Sequence, residues 1–240
     1  MDIRSAVVAG LKPDLEAIRE NIRAIRDRSS FPYHGVQIFT GMQGQGKTIT
    51  MVRTVLEMKK KYPAAKVVTN LKLEVPWEYE RFSTLEELSS VLTGINNGSD
   101  GVIYAIDEIQ NYFNAVESKG IPIYIFAEIS QQRKQRKVIL GTSQLFLRVA
   151  KPFREQVSSV CICSCFLGLL NHVRIYDGES IEEDFGKLYG KQIKSVWYWQ
   201  TEELRHSYDT YQVVFRGETK MEDQSILVDY SGRKGRSRRK

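Results

Sequence analysis

The sequence predicts an α/β fold, a mostly parallel sheet flanked by helices with a small β-rich element toward the carboxyl end. Three observations predict it. Val36-Gln37-Ile38-Phe39 is short, apolar and β-prone; a glycine-rich turn follows, and from Ile49 a helical stretch runs to about Lys61. Val102-Ile103-Tyr104-Ala105-Ile106 is a continuous apolar run ending in Asp107-Glu108, as expected of a parallel strand buried on both faces. Val138-Ile139-Leu140-Gly141-Thr142 repeats that pattern and ends in Ser143-Gln144.

The glycine-rich turn is Gly41-Met42-Gln43-Gly44-Gln45-Gly46-Lys47-Thr48, which fits G-x-x-x-x-G-K-[ST], the phosphate-binding P-loop. Glycines let the backbone take positive φ and approach a ligand closely. The N–H groups of the loop and of the first helical turn, including Ile49, then converge on one place and favour an anion. Lys47 adds a mobile positive charge for the β- and γ-phosphates, and Thr48 offers a hydroxyl to Mg²⁺. Strand, loop and helix in this order predict binding of a nucleotide, with ATP and Mg²⁺ as the expected cofactors. No base-reading motif decides ATP against GTP.

Length and composition fit this class. With 240 residues, 42% hydrophobic and 27% charged, the chain is long enough for one large α/β domain or one domain with an appendage. No run of about 18 apolar residues predicts a membrane span; Val160 to Leu170 holds 11 residues and includes a serine and a glycine. Met1-Asp2-Ile3-Arg4-Ser5 lacks the features of a signal peptide, so the expected location is cytoplasmic, with association at the inner face of a membrane left open. The net charge of +6 resides in a tail: residues 233–240 hold six Lys or Arg and no acid, and the rest carries 29 basic and 29 acidic residues. Such a tail suits nucleic-acid phosphates, an anionic membrane surface or plain solubility.

In chain order, residues 1–30 read as an amphipathic helix, with Leu11, Leu15, Ile18, Ile22 and Ile25 on one stripe, packing on this domain or on a neighbouring subunit. Lys66-Val67-Val68-Thr69-Asn70 reads as a second strand, which Leu71-Lys72-Leu73 extends. Pro76-Trp77-Glu78-Tyr79 reads as a loop with exposed aromatics. Ser83-Thr84-Leu85-Glu86 reads as a capping box opening a helix to about Leu92. Asn96 to Gly101 is turn chemistry. The acids that follow the Val102 strand stand where ligands bind in open α/β sheets and resemble a Walker B arrangement, in which Asp107 would hold Mg²⁺ through its water shell and Glu108 would orient or deprotonate the attacking water. Pro122 opens a helix to about Gln132; Ser130 to Lys137 is polar; Gln144 is placed to sense a γ-phosphate. The next helical stretch contains Arg148 and Arg154.

From Val157 the pattern turns β-rich. Val157 to Phe166 and Leu170 to Tyr176 form a hairpin around Gly168, Asp177-Gly178 turns again, and Lys194 to Gln200 is a strand containing Trp197, Tyr198 and Trp199. These aromatics read as core, interface or a stacking surface for single-stranded DNA. Cys161, Cys163 and Cys165 share one strand face; without a fourth cysteine they read as a small-residue core face more readily than as a metal site.

Taken together, the P-loop, the Ile106-Asp107-Glu108 strand end, Arg133 eleven residues before Gln144, Thr142-Ser143-Gln144 and the later Tyr208-Asp209-Thr210-Tyr211 resemble the FtsK/HerA class of P-loop ATPases, and within it the zonula occludens toxin family of filamentous-phage assembly ATPases. The resemblance covers about residues 34–211. It implies a RecA/FtsK-HerA-like sheet, ATP hydrolysis, a homo-oligomeric ring (a hexamer), action on DNA, and phage or mobile-element assembly partners. It also implies an arginine acting in trans, with Arg133 first and Arg136 and Arg154 behind it. Members of that family usually carry a transmembrane helix after the ATPase domain, and none is expected within these 240 residues. The expected organisation is a helix over 1–30, an ATPase core over 31–160, a sheet-completing β-rich element over 161–215 and a tail over 216–240. A nucleotide switch that moves nothing, an adaptor using the tail, and a small-molecule kinase are the alternatives.

Overall fold

The computed structural model describes residues 30–116, 121–184 and 187–209, except for the side chains of Arg133, Lys134, Glu183, Asp184 and Lys187. The expected amino-terminal helix, Thr210-Tyr211 and the basic tail lie outside these residues. In chain order the described elements are β1 (Gly35–Thr40), α1 (Lys47–Lys61), β2 (Lys66–Thr69), β3 (Glu80–Arg81), α2 (Leu85–Gly94), β4 (Val102–Ile106), α3 (Ile123–Ser130), α4 (Gln132–Gln135), β5 (Lys137–Ser143), α5 (Lys151–Arg154), β6 (Val157–Phe166), β7 (Leu170–Asp177), β8 (Glu182–Asp184), β9 (Lys187–Tyr189), β10 (Gln192–Trp199) and α6 (Glu202–His206).

Eight strands form one sheet in the order β10-β7-β6-β1-β5-β4-β2-β3. The six from β6 to β3 are parallel; β7 and β10 are added antiparallel. The fold is thus the expected mostly parallel α/β sheet. β8 and β9 form a separate two-stranded antiparallel sheet. β6 runs through residue 160, so the sheet is continuous from the phosphate-loop core into the β-rich part.

Alternation puts apolar side chains on both faces of the central strands. Val102, Tyr104 and Ile106 of β4 join Leu88, Leu92, Ile125 and Ile129 of α2 and α3 on one face. Ile103 and Ala105 join Met51, Val52 and Val55 of α1 on the other. Each fully buried Val, Leu, Ile or Met among them contributes about 1.5–3 kcal/mol. Cys161 and Cys163 are buried in the α1 face as core packing, Cys165 is half-exposed, and the described residues hold no group of three or more His, Cys, Asp or Glu side chains placed to bind a metal ion.

Four local expectations are corrected. The capping box lies one residue later: Thr84 Oγ1 accepts from Glu87 N, and Glu87 reaches back to Thr84 N, because the helix starts at Leu85. Leu71-Lys72-Leu73 does not prolong β2; Leu73 instead forms a bridge with Tyr208. Trp77 and Tyr79 are half-buried rather than exposed, packed on the α1-side core, and the Tyr79 hydroxyl both accepts from Leu73 N and donates to Leu73 O. The helix after Pro122 ends at Ser130, and Gln132–Gln135 is a separate turn closed by Arg136 in the left-handed conformation (φ 51°).

Candidate functional site

The parallel register sets the carboxyl ends of three strands side by side. Thr40 of β1 pairs with Ser143 of β5, and Ile106 of β4 pairs with Gly141 of β5, so the residues that follow meet at one edge. α1 begins there without a side-chain cap; Gly46, at φ 76°, precedes it directly. The first N–H groups of this helix are therefore left for a ligand. Gly46 has a second reason to lack a side chain: a Cβ would stand 2.8 Å from Asn171 Oδ1.

Residues from the loop, β4 and β5 meet at this edge. Thr48 Oγ1 donates to Asp107 Oδ1 at 2.8 Å, across 59 residues of sequence. Thr142 Oγ1 donates to the same oxygen at 2.7 Å and accepts from Glu108 N at 2.8 Å. Burial pushes the Asp107 carboxyl above its usual range, and the hydroxyls of Thr142 and Thr48 pull part of the way back. Lys47 is buried and donates to Met42 O, within the loop itself, at 3.1 Å. Glu108 has left-handed backbone (φ 50°) and accepts from the Gln110 side-chain amide. An open cleft of about 640 Å³ is lined by Gly44, Lys47, Thr48, Asp107, Glu108 and Gln144. Gln43, Gly46 and Ile49 border it as well, whereas Gly41 and Met42 face a neighbouring cleft and Gln45 is turned to β6, where its Oε1 accepts from Cys165 N at 2.9 Å.

The arginines stand elsewhere. Arg133 lies in α4, which precedes β5 and so sits at the opposite end of that strand from Gln144. Arg136 donates to Phe31 O at 3.3 Å, and Arg154 lies over the Phe146 ring at 5.7 Å. None of the described arginine side chains lines this cleft.

Several contributors escaped sequence reading. Asn70 brackets Asp107: its Oδ1 accepts from Asp107 N at 2.8 Å and its Nδ2 donates to Asp107 O at 2.9 Å. The signal was present, since Lys66 to Asn70 is another apolar run ending in polar residues. Cys165, Gly168 and Gln200 also line the cleft, beside Tyr208 of the carboxyl-terminal pattern that the sequence singles out. Tyr208 is held there by backbone bonds between residues 72–74 and 207–209, Glu74 N to Ser207 O at 2.8 Å and Asp209 N to Lys72 O at 3.1 Å. Its phenol is pushed up to about 12, chiefly by burial.

No family model matches the chain, and neither does any curated protein. Solved structures do. The genome-packaging NTPase B204 of Sulfolobus turreted icosahedral virus 2 is 11% identical with a TM-score of 0.49, over 65% of this chain and 96% of that one. The flagellar accessory protein FlaH of Methanocaldococcus jannaschii is 11% identical with a TM-score of 0.46, over 75% and 90%. The N-terminal domain of zonular occludens toxin from Neisseria meningitidis is 16% identical with a TM-score of 0.53, over 73% of this chain and 99% of that domain. The chain therefore shares the α/β fold of that toxin domain, across nearly the domain's whole length.

Proposed function

We propose that the chain is an ATP-hydrolysing motor of the FtsK/HerA–Zot type, acting on DNA in translocation, packaging, conjugation or virion assembly. The observation that carries this reading is the meeting of Thr48 and Asp107 at 2.8 Å beside Lys47, Glu108 and Gln144 in one cleft. Lys47 and the loop N–H groups bind the phosphates. The Thr48 hydroxyl and Asp107 carboxylate are hard oxygen donors on one spot, and the carboxylate is held where burial opposes its charge; this donor set fits Mg²⁺. When bound, Mg²⁺ neutralises charge on the phosphate oxygens. Glu108 accepts the proton of the attacking water or orients it in line with the γ-phosphorus. Gln144, at the end of the neighbouring strand, contacts the γ-phosphate. Thr142 and Asn70 hold Asp107 and Glu108 in place.

In this proposal the chain works as a ring, hexameric by resemblance, and Arg133 of one subunit completes the site of the next. Such an arginine raises the rate by roughly 10³ to 10⁵. Mixing Arg133→Ala with Glu108→Gln subunits tests this, because action in trans restores some turnover in the mixture. Among the described residues no helix is long and apolar enough to cross a membrane, so in this reading any attachment to an envelope runs through partners or through residues outside those described.

The deciding experiment is steady-state ATP hydrolysis by the purified protein with and without single- and double-stranded DNA, at two salt concentrations and several protein concentrations. DNA stimulation that fades with salt, with specific activity rising with protein concentration, is the expected result. DNA-independent turnover that is flat with concentration would replace the motor with a nucleotide switch.

A further inference from the structure

Behind the phosphate loop lies a chain of buried hydrogen bonds whose direction the chemistry fixes. The Gly46 carbonyl can only accept, and it takes the Thr50 hydroxyl proton at 2.6 Å. Thr50 Oγ1 has then spent its single proton, so the 2.7 Å contact with the Tyr198 hydroxyl must be donated by Tyr198. Tyr198 in turn accepts from Asn171 Nδ2 at 2.6 Å, and Asn171 Oδ1 accepts from Gln200 Nε2 at 3.1 Å. Every donor along this line points toward Gly46. Thr50, Asn171 and Tyr198 are all buried, at 4%, 1% and 8% exposure, so the bonds are shielded from competing water.

The placement follows from the sheet. Cys165 of β6, Asn171 of β7 and Tyr198 of β10 are direct cross-strand partners, lined up on the α1 side. Asn171 presses on Gly46, whose missing Cβ would collide with it, and Cys165 N holds Gln45. The Arg53 guanidinium lies 4.2 Å over the Tyr198 ring and fixes its plane. Burial also raises the Tyr198 phenol, which keeps its proton in place.

We propose that Tyr198, through Thr50 and with Asn171 behind it, is a positioning residue for the phosphate loop: it fixes the Gly46 carbonyl and so aims the Gly46–Lys47 peptide N–H at the phosphates. The inference rests on the nucleotide-binding reading of the loop and extends it to two antiparallel strands that carry none of the motif. The relay holds the loop before the ligand arrives, so it supports ground state and transition state alike. Its loss therefore weakens binding and spares the chemical step.

The test is calorimetric titration of the full chain with Mg·ATP, together with steady-state kinetics, for wild type, Tyr198→Phe, Thr50→Val, Thr50→Ser and the double variant Tyr198→Phe/Thr50→Val. Tyr198→Phe keeps the ring and removes only the donor. The expected result is affinity weaker by up to about tenfold and a matching rise in KM, with kcat within about twofold. Thr50→Val should behave alike, Thr50→Ser should restore wild-type binding, and the double variant should be no worse than the weaker single one. Wild-type affinity in Tyr198→Phe, even with a lowered melting temperature, would mean a structural role only and overturn the proposal. So would a fall in kcat at unchanged KM. If the unsubstituted chain itself fails to bind Mg·ATP, the nucleotide reading falls first and the relay with it, an outcome plainly separable from the other two.

Discussion

On the parallel side of the cleft, β4 and β5 bring charge and acceptors: Asp107, Glu108 and Gln144, with the Thr142 hydroxyl between them. On the antiparallel side, the end of β6 with β7 and β10 brings only neutral groups: the Cys165 N–H, the Asn171 and Gln200 amides and the Tyr198 hydroxyl. Both sides grip the same loop. The difference separates two tasks. In the proposed reading, charges act on the ligand and must stand within reach of it, whereas neutral buried donors act on the backbone that presents the ligand's partners. A fixed hydrogen bond to a loop carbonyl costs no desolvated charge, and so it can sit in the core behind the site.

Substitutions on the charged side should have the largest effects. Lys47→Ala removes the cation buried in the loop, and ATP turnover in a coupled assay should fall at least about a hundredfold. Undiminished hydrolysis would refute the site altogether. Glu108→Gln keeps the shape of the side chain but removes the base, so the expected loss is about 10² to 10⁴ in turnover with ATP binding retained. Nucleotide recovered from the denatured variant should then be chiefly ATP rather than ADP. Normal turnover in this variant would move the water-activating role to another residue.

Asn70 tests whether neutral support also matters on the parallel side. Its side chain bonds both backbone groups of Asp107, in a buried position. Asn70→Ala leaves those groups without this partner, at about 1–3 kcal/mol. Urea denaturation should show that loss, and the turnover number should drop with it as Asp107 loosens. A stability loss with unchanged turnover would confine Asn70 to the fold.

These contrasts also explain what could be read from the sequence. The P-loop and the strand-ending acids are local patterns: one short spacing, or one apolar run, places them. Gln144 was legible for the same reason. The central strands were legible because burial on both faces leaves unbroken apolar runs, whereas β3 is two residues, Glu80 and Arg81, with no pattern of its own. Asn171, Tyr198 and Gln200 act through a strand register far from the loop in sequence, and nothing in Tyr198 marks its hydroxyl as different from that of any strand tyrosine. Its neighbours Trp197 and Trp199 point to the opposite face and are exposed, so the aromatic triplet divides into one core residue and two surface ones. The capping box slipped because Ser83 and Thr84 both fit the Ncap preference and Glu86 and Glu87 both fit N3.

The smallest effect is the most direct probe of the neutral side. The three cysteines lie on one strand face but differ in surroundings. Cys161 and Cys163 are buried in the core, and burial pushes the Cys163 thiol up to about 12 and the Cys161 thiol higher still. At about pH 8 both therefore remain protonated and shielded, and neither should react with iodoacetamide until the chain unfolds. Cys165 is half-exposed and lines the cleft. Mass spectrometry of briefly alkylated protein should find Cys165 modified first. Saturating Mg·ATP should slow that modification severalfold, because a bound nucleotide blocks the approach to the thiol and steadies the Gln45 contact with the Cys165 N–H. If nucleotide leaves the Cys165 rate unchanged while Lys47→Ala still abolishes turnover, the ligand lies toward the acids alone, and the antiparallel strands support the loop from behind without bordering what it binds.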